Sequence, residues 1–217
     1  MTDFASRRQM MVDTQVRPSD VTKFPIIDAM LAVERENFLP DNLQEAAYAG
    51  ENIGLDEGRV LLEPRTLAKM LDTLNITDKE LVLDIGCAYG YSSAVIARMA
   101  EAVVAVEEND AMAEEAQAML SAAGADNVVL HVGALAQGAA EHGPFDVIIV
   151  EGGVEDLPDT IEEQLKDGGR IACLFMDGSL GVVRIGLKTG GTLTWRFSFN
   201  AAAPVLPGFE KEAVFAL

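Results

Sequence analysis

The stretch Leu81-Val82-Leu83-Asp84-Ile85-Gly86-Cys87-Ala88-Tyr89-Gly90-Tyr91 constrains this chain more than any other. An apolar run meets an acid, a short loop with glycine at each end follows, and residues 92–100 then read as a helix. Strand, tight turn and helix in that order bring backbone amides and a helix N-terminus against a nucleotide-like ligand. The dinucleotide fingerprint G-x-G-x-x-G, started at Gly86, requires glycine at 88 and 91, where the chain has Ala88 and Tyr91. The pattern that stands here is D-x-G-x-x-x-G, from Asp84 through Gly86 to Gly90.

From this stretch onward, short Val/Ile/Leu runs alternate with helical segments. Strands are expected at residues 81–85, 103–106, 128–131, 145–150 and 170–176, with helices at 91–99, 110–123 and 157–165, the last closed by Gly168-Gly169. Such alternation implies a parallel sheet covered by helices on both faces. Residues 182–188, 192–199 and 213–217 are strand-like with no helix between them, and Gly190-Gly191 reads as a hairpin turn. The fold class is therefore α/β and Rossmann-like, with parallel strands finished by an antiparallel hairpin.

The first eighty residues read as a helical preface. Helices are expected at 3–15, at 21–33 with Ser19 or Asp20 as cap, and from Pro64 to about Leu74; a polar loop covers 48–59. No linker precedes residue 80, so residues 1–217 are expected to form one domain, with 1–79 packed on a core made by 80–217.

The 217 residues hold 16 Lys+Arg against 35 Asp+Glu, a formal net charge of -19. Nucleic acid and anionic membrane surfaces are repelled on average by such a chain, so neither is expected as a partner. No apolar run approaches the ~20 residues of a membrane-spanning helix, and the N-terminus does not read as a signal peptide. Cys87 and Cys173 are far apart and lack metal-ligand spacing, so packed free thiols, no metal and a cytoplasmic location are expected.

The loop pattern resembles the first motif of S-adenosylmethionine (SAM)-dependent methyltransferases. In that reading Gly86 leaves a path for the methionine and ribose parts of SAM, Gly90 closes the turn into the helix, and Asp84 accepts hydrogen bonds from loop amides or the ligand ammonium group. Cys87, Ala88 and Tyr89 form the loop between them. Glu107, after Val103-Val104-Ala105-Val106, stands at the end of the second strand, where a carboxylate can accept both ribose hydroxyls. Gly133, Ala134 and Leu135 follow the third strand and are expected to line the adenine; Glu151 follows the fourth and faces the methyl donor.

Four separated stretches resemble the protein-L-isoaspartate O-methyltransferase family. They are Ala29-Met30-Leu31-Ala32-Val33-Glu34-Arg35-Glu36-Asn37-Phe38-Leu39-Pro40; Ala47-Tyr48 with residues 58–64; residues 82–97; and Phe145-Asp146-Val147-Ile148-Ile149-Val150 with Gln164-Leu165-Lys166-Asp167-Gly168-Gly169-Arg170. Together they span residues 29–170. The resemblance implies SAM as cofactor and a protein or peptide substrate whose damaged aspartyl carboxylate is methylated. Two positions depart from the family pattern. Leu62 stands where the family has a serine beside the transferred methyl, and Ala134 stands where it has an aspartate beside the adenine.

A carboxylate acceptor is ionised at neutral pH and needs no general base. The chain has to align two atoms and exclude water. Arg59 and Arg65, on either side of Val60–Pro64, are the candidates for holding an anionic substrate. Leu62 leaves two other readings open: a different acceptor, including a small molecule, or SAM binding without turnover.

Overall fold

The computed structural model describes residues 3–211. Its main sheet has seven strands. In chain order the elements are helix α1 (Phe4–Met11), helix α2 (Phe24–Ala32), strand β1 (Ile53–Gly54), strand β2 (Val60–Leu61), helix α3 (Pro64–Leu74), strand β3 (Leu81–Ile85), helix α4 (Tyr91–Ala97), strand β4 (Ala102–Glu107), helix α5 (Asp110–Ala122), strand β5 (Val128–Val132), strand β6 (Phe145–Val154), helix α6 (Asp159–Glu163), strand β7 (Leu165–Asp177), strand β8 (Leu180–Thr189) and strand β9 (Thr192–Asn200). The sheet order is β5-β4-β3-β6-β7-β8-β9; β1 and β2 pair separately. Strands β3 to β7 run parallel, and β8 and β9 are antiparallel, as the sequence predicts.

Period-two alternation explains why the sheet is buried on both faces. Val82, Val147, Ile149, Ala172 and Leu174 enter one apolar cluster, while Leu83, Ile85, Ile148, Val150, Ile171 and Cys173 enter the other. Each Val, Ile or Leu so buried contributes roughly 1.5–3 kcal/mol. The preface joins the first cluster. Met11, Ile27, Met30, Phe38, Leu67, Met70 and Leu71 pack together with residues of the sheet rather than around a centre of their own.

Local chemistry sets the element ends. Pro64 occupies the first turn of α3, where its missing N–H costs nothing, and Asn75 ends the helix in the left-handed region at φ 51°. The Asn109 side chain accepts from the Met112 amide and caps α5. The chain reverses between β8 and β9 at Gly190-Gly191, both at positive φ, which suits a tight hairpin.

Four details differ from the sequence expectations. The first helix ends at Met11 and continues as a wider turn over Val12–Val16. Neither Ser19 nor Asp20 caps α2: Asp20 closes a short turn at φ 67°, and α2 starts after Lys23 with proline in its first turn. The polar stretch before Val60 carries β1, paired with β2. Gly168-Gly169 lies inside β7, where the pairing with β6 shifts register, rather than at a helix end. The strand expected at 213–217 lies outside the described residues.

Candidate active site

The switch in sheet order falls at β3, whose neighbours are β4 and β6. Ligands of open α/β sheets lie outside the carboxyl ends of strands at such a point. Three acids meet there. Asp84 is next to last in β3, Glu107 ends β4, and Glu151 lies in the second half of β6. All three are buried.

The loop is shaped as a ligand cradle. Gly86 has φ 82° and Gly90 φ 90°; Ala88 between them also has positive φ, at 49°. A non-glycine residue in that region costs of order 1 kcal/mol and persists only where its surroundings impose it. Here the Ala88 amide donates to Glu107 Oε2 at 2.8 Å, which ties the loop to the end of β4. Asp84 fixes the other side: the Ser92 and Ser93 hydroxyls of α4 donate to its Oδ2 at 2.7 and 2.5 Å. Among the described residues, its Oδ1 is buried without a hydrogen-bond partner. Burial raises the Asp84 carboxyl to about 6, against the lowering effect of the two serines. Glu151 is pushed well above the usual carboxylate range, first by burial and then by the charge of Asp84, with Arg35 and Arg59 pulling the other way. The Cys87 thiol is likewise raised by burial, which keeps it neutral and unreactive.

Glu107 stands where the sequence places it, but its oxygens are already engaged. Arg59 Nη1 and Nη2 donate to its Oε1 and Oε2 at 2.8 and 2.9 Å. The Glu108 and Asn109 amides add bonds to Oε1 at 3.0 and 3.1 Å. With the Ala88 amide, five N–H groups share a carboxylate that offers about four lone-pair sites. Arg59 is 3% exposed and Glu107 0%, so this is a desolvated, bidentate pair. Arg59, expected from the sequence as a holder of substrate, therefore points inward to the second strand instead.

A second side chain stands in front of the loop. An ideal Cβ on Gly86 would meet Arg59 Nη2 at 3.0 Å and Leu206 Cδ1 at 3.1 Å. Leu206 belongs to the segment after β9, which crosses the end of β6. The Gly153 amide donates to Pro204 O at 2.7 Å, the Leu206 amide to Gly153 O at 2.9 Å, and the Glu155 amide to Phe209 O at 2.9 Å. That crossing needs Gly152-Gly153. A Cβ at 152 would lie 2.6 Å from Leu206, and one at 153 would lie 2.8 Å from the Ala203 carbonyl oxygen. The sequence pattern hides these two features: neither Arg59 nor Leu206 lies in a motif that names its partner.

The remaining candidates fall as follows. Leu62 is 1% exposed, and its carbonyl oxygen accepts from Arg35 Nη2 at 2.7 Å. Arg35 also donates from Nε to Ala47 O at 2.6 Å, and its guanidinium lies 4.7 Å from the Tyr91 ring centroid. One buried arginine thus ties residues 47 and 62 to the start of α4. Arg65 is partly exposed, 3.5 Å from Glu63 and 5.6 Å from the Phe199 ring centroid. Leu135 is buried at the start of a short helical turn, and Gly133 and Ala134 precede it. His131 Nδ1 and His142 Nε2 lie 3.4 and 3.5 Å from Glu141 Oε1. A cavity of about 810 Å³ opens elsewhere, between residues 32–41 and the α4–α5 region, with Phe38, Arg98, Glu115 and Met119 among its walls.

Comparison with known proteins decides the family. The model of the protein-L-isoaspartate(D-aspartate) O-methyltransferase family matches residues 6–177. The chain belongs to that family. A protein-L-isoaspartate O-methyltransferase of Roseiflexus sp. (strain RS-1) is 34% identical over 169 residues, covering 78% of this chain and 77% of the relative. One of Rhodopseudomonas palustris (strain HaA2) is 35% identical over 170 residues, covering 78% and 69%. Two solved structures share the fold. One, a protein-L-isoaspartate O-methyltransferase, has a TM-score of 0.82 at 24% identity, covering 93% of this chain, which spans 66% of that longer one. A Plasmodium falciparum structure described under the same family name, in complex with S-adenosyl-L-homocysteine, has a TM-score of 0.80 at 17% identity, covering 95% and 99%. By family this isoaspartate-methyltransferase relative is a SAM-dependent methyltransferase.

The frame at the carboxyl ends of β3 and β4 fits that cofactor: glycine at positive φ in the loop, a carboxylate at the end of β4, and a buried, half-satisfied acid below. The space in front of the frame is held by Arg59 and Leu206.

Proposed function

We propose that this chain methylates a carboxylate of damaged aspartyl residues in proteins or peptides, with SAM as methyl donor. The observation that carries the reading is the extent of the family match, which begins at residue 6 and takes in the helical preface as well as the sheet. The preface is the part that a general SAM fold does not require. Asp84, Gly86, Cys87, Ala88, Tyr89, Gly90, Glu107, Gly133, Ala134, Leu135 and Glu151 are assigned to the cofactor side.

Bound SAM supplies a sulfonium methyl. The chain's part is to hold the acceptor carboxylate in line with it and to keep water out. An ionised carboxylate gives up no proton on methylation, so the reaction needs no general base. Leu62, buried and apolar, contributes exclusion of water rather than a hydrogen bond. Arg65, partly exposed at the start of α3 and 3.5 Å from Glu63, is assigned to meet an anionic substrate, whereas Arg59 is buried against Glu107. The strongly acidic surface favours peptide over nucleic-acid substrates. A soluble, cytoplasmic enzyme agrees with the sequence, and among the described residues no helix is long and apolar enough to cross a membrane.

The test is transfer of label from SAM to an isoaspartyl peptide, read as base-labile radioactivity. Label on the isoaspartyl peptide and none on its ordinary aspartyl counterpart is expected. No transfer at saturating SAM contradicts the reading. Arg65→Ala is expected to raise KM for the peptide several-fold with little change in kcat.

A further inference from the structure

We infer that Arg59 and Leu206 set the cofactor affinity of this site by standing in it: the chain fills its own SAM crevice, and SAM binds only as these two side chains withdraw. The inference rests on the methyltransferase reading in one respect, that the crevice before Gly86 is the SAM site.

Three independent features place the two residues there. First, Glu107 has no acceptor capacity left for a ribose diol while Arg59 holds both its oxygens. Three of its five donors are backbone amides fixed by the loop and by the start of α5, so Arg59 is the donor that must leave. Second, Arg59 Nη2 and Leu206 Cδ1 lie at contact distance from the position of a Cβ on Gly86. The space that glycine opens is thus filled by side chains of the same molecule. Third, the filling is built into the chain. Leu206 is 2% exposed and Phe209 0%, and main-chain bonds at 153 and 155 hold their segment. Gly152-Gly153 give that segment the room that any larger residue would deny it. A loop lying on a surface by chance would not need two consecutive glycines beneath it.

The consequence for binding is direct. A ligand that needs a minor conformation binds with its intrinsic affinity reduced by the fraction of that conformation. Separating Arg59 from a buried carboxylate and lifting the buried Leu206 side chain makes the open form rare. Residues 59 and 206 lie in separate segments outside the loop, so each can be altered while the loop sequence is kept.

The experiment titrates S-adenosylhomocysteine, a non-reacting probe, into the full chain, Leu206→Ala and Arg59→Gln by calorimetry. Both variants are expected to bind at least ~10-fold more tightly than the unaltered chain, equivalent to ~1.4 kcal/mol. Equal, tight binding by all three overturns the inference and leaves the methyltransferase reading standing. No binding by any of them overturns both. Amide exchange at Leu206 and Glu155 in the unaltered chain gives a readout that does not depend on the variants folding. At saturating probe, loss of protection at the Leu206 and Glu155 amides is expected, and retained protection with the probe bound overturns the inference.

Discussion

Arg59 grips both oxygens of Glu107, at 2.8 and 2.9 Å, across 48 residues of sequence and almost out of reach of water. This pair joins the residue just before β2 to the end of β4. Breaking a buried ion pair by removing one partner leaves the other charge desolvated and costs about 3–5 kcal/mol. Glu107 keeps three backbone amides, so Arg59→Ala is expected at the lower end, about 3 kcal/mol in urea unfolding. Replacing both, as Arg59→Met with Glu107→Gln, takes out both charges while leaving an oxygen for the backbone amides, and is expected to restore part of the loss. A double variant no more stable than Arg59→Ala would show that the unpaired Glu107 charge is not the source of the loss.

Gly152 and Leu206 should report each other. Gly152→Ala puts a Cβ 2.6 Å from Leu206 and is expected to cost about 1–3 kcal/mol by overpacking. Leu206→Ala alone leaves a cavity and is expected to cost about 2–5 kcal/mol. In the double variant the added methyl meets space, so the combined loss should fall below the sum by 1 kcal/mol or more. Simple additivity in the thermodynamic cycle would mean that the segment does not press on β6.

The Asp84 carboxyl, raised by burial to about 6, gives a signed dependence on pH. The unfolded carboxyl titrates near 3.9. Between these values the folded state binds the proton more strongly, so Asp84's contribution to stability is complete below about pH 4 and is lost as pH rises through 6. The loss is on the order of 3 kcal/mol. Asp84→Asn removes it, and the variant should match the parent near pH 4 and gain on it toward pH 7 in thermal melts. A gap that stays constant with pH would contradict the shift.

Glu151 is held toward its neutral acid by burial and by Asp84. Glutamine has the shape of that neutral form. Glu151→Gln is expected to stay within about 1 kcal/mol of the parent at pH 7, as is usual where no buried pair is broken. A loss above about 3 kcal/mol would mean that the carboxylate is ionised and paired with an arginine.

Much of the fold was legible because the sheet repeats one simple pattern. Val82 to Ile85 and Val147 to Val150 alternate between two apolar clusters, and a strand buried on both faces leaves a continuous Val/Ile/Leu run that the eye can find. The turn at Gly190-Gly191 depends on residues with a strong local preference, and it stands where the sequence puts it. Gly168-Gly169 misled, because glycine marks a helix end and a strand irregularity equally well. The positions of Asp84, Gly86 and Glu107 relative to the strands were readable from neighbours in sequence. What fills the space before them was not. Arg59 reaches Glu107 across 48 residues, and Leu206 reaches Gly86 from the far end of the chain. Gly152-Gly153 signals a close approach, but a pair of glycines does not say what approaches.

The most direct measurement is a crystal structure of the chain with S-adenosylhomocysteine bound. The account predicts the ligand ribose on Glu107, with the Arg59 guanidinium withdrawn and Leu206 moved off Gly86. Ligand seated against Gly86 while Arg59 still holds both oxygens of Glu107 would contradict it.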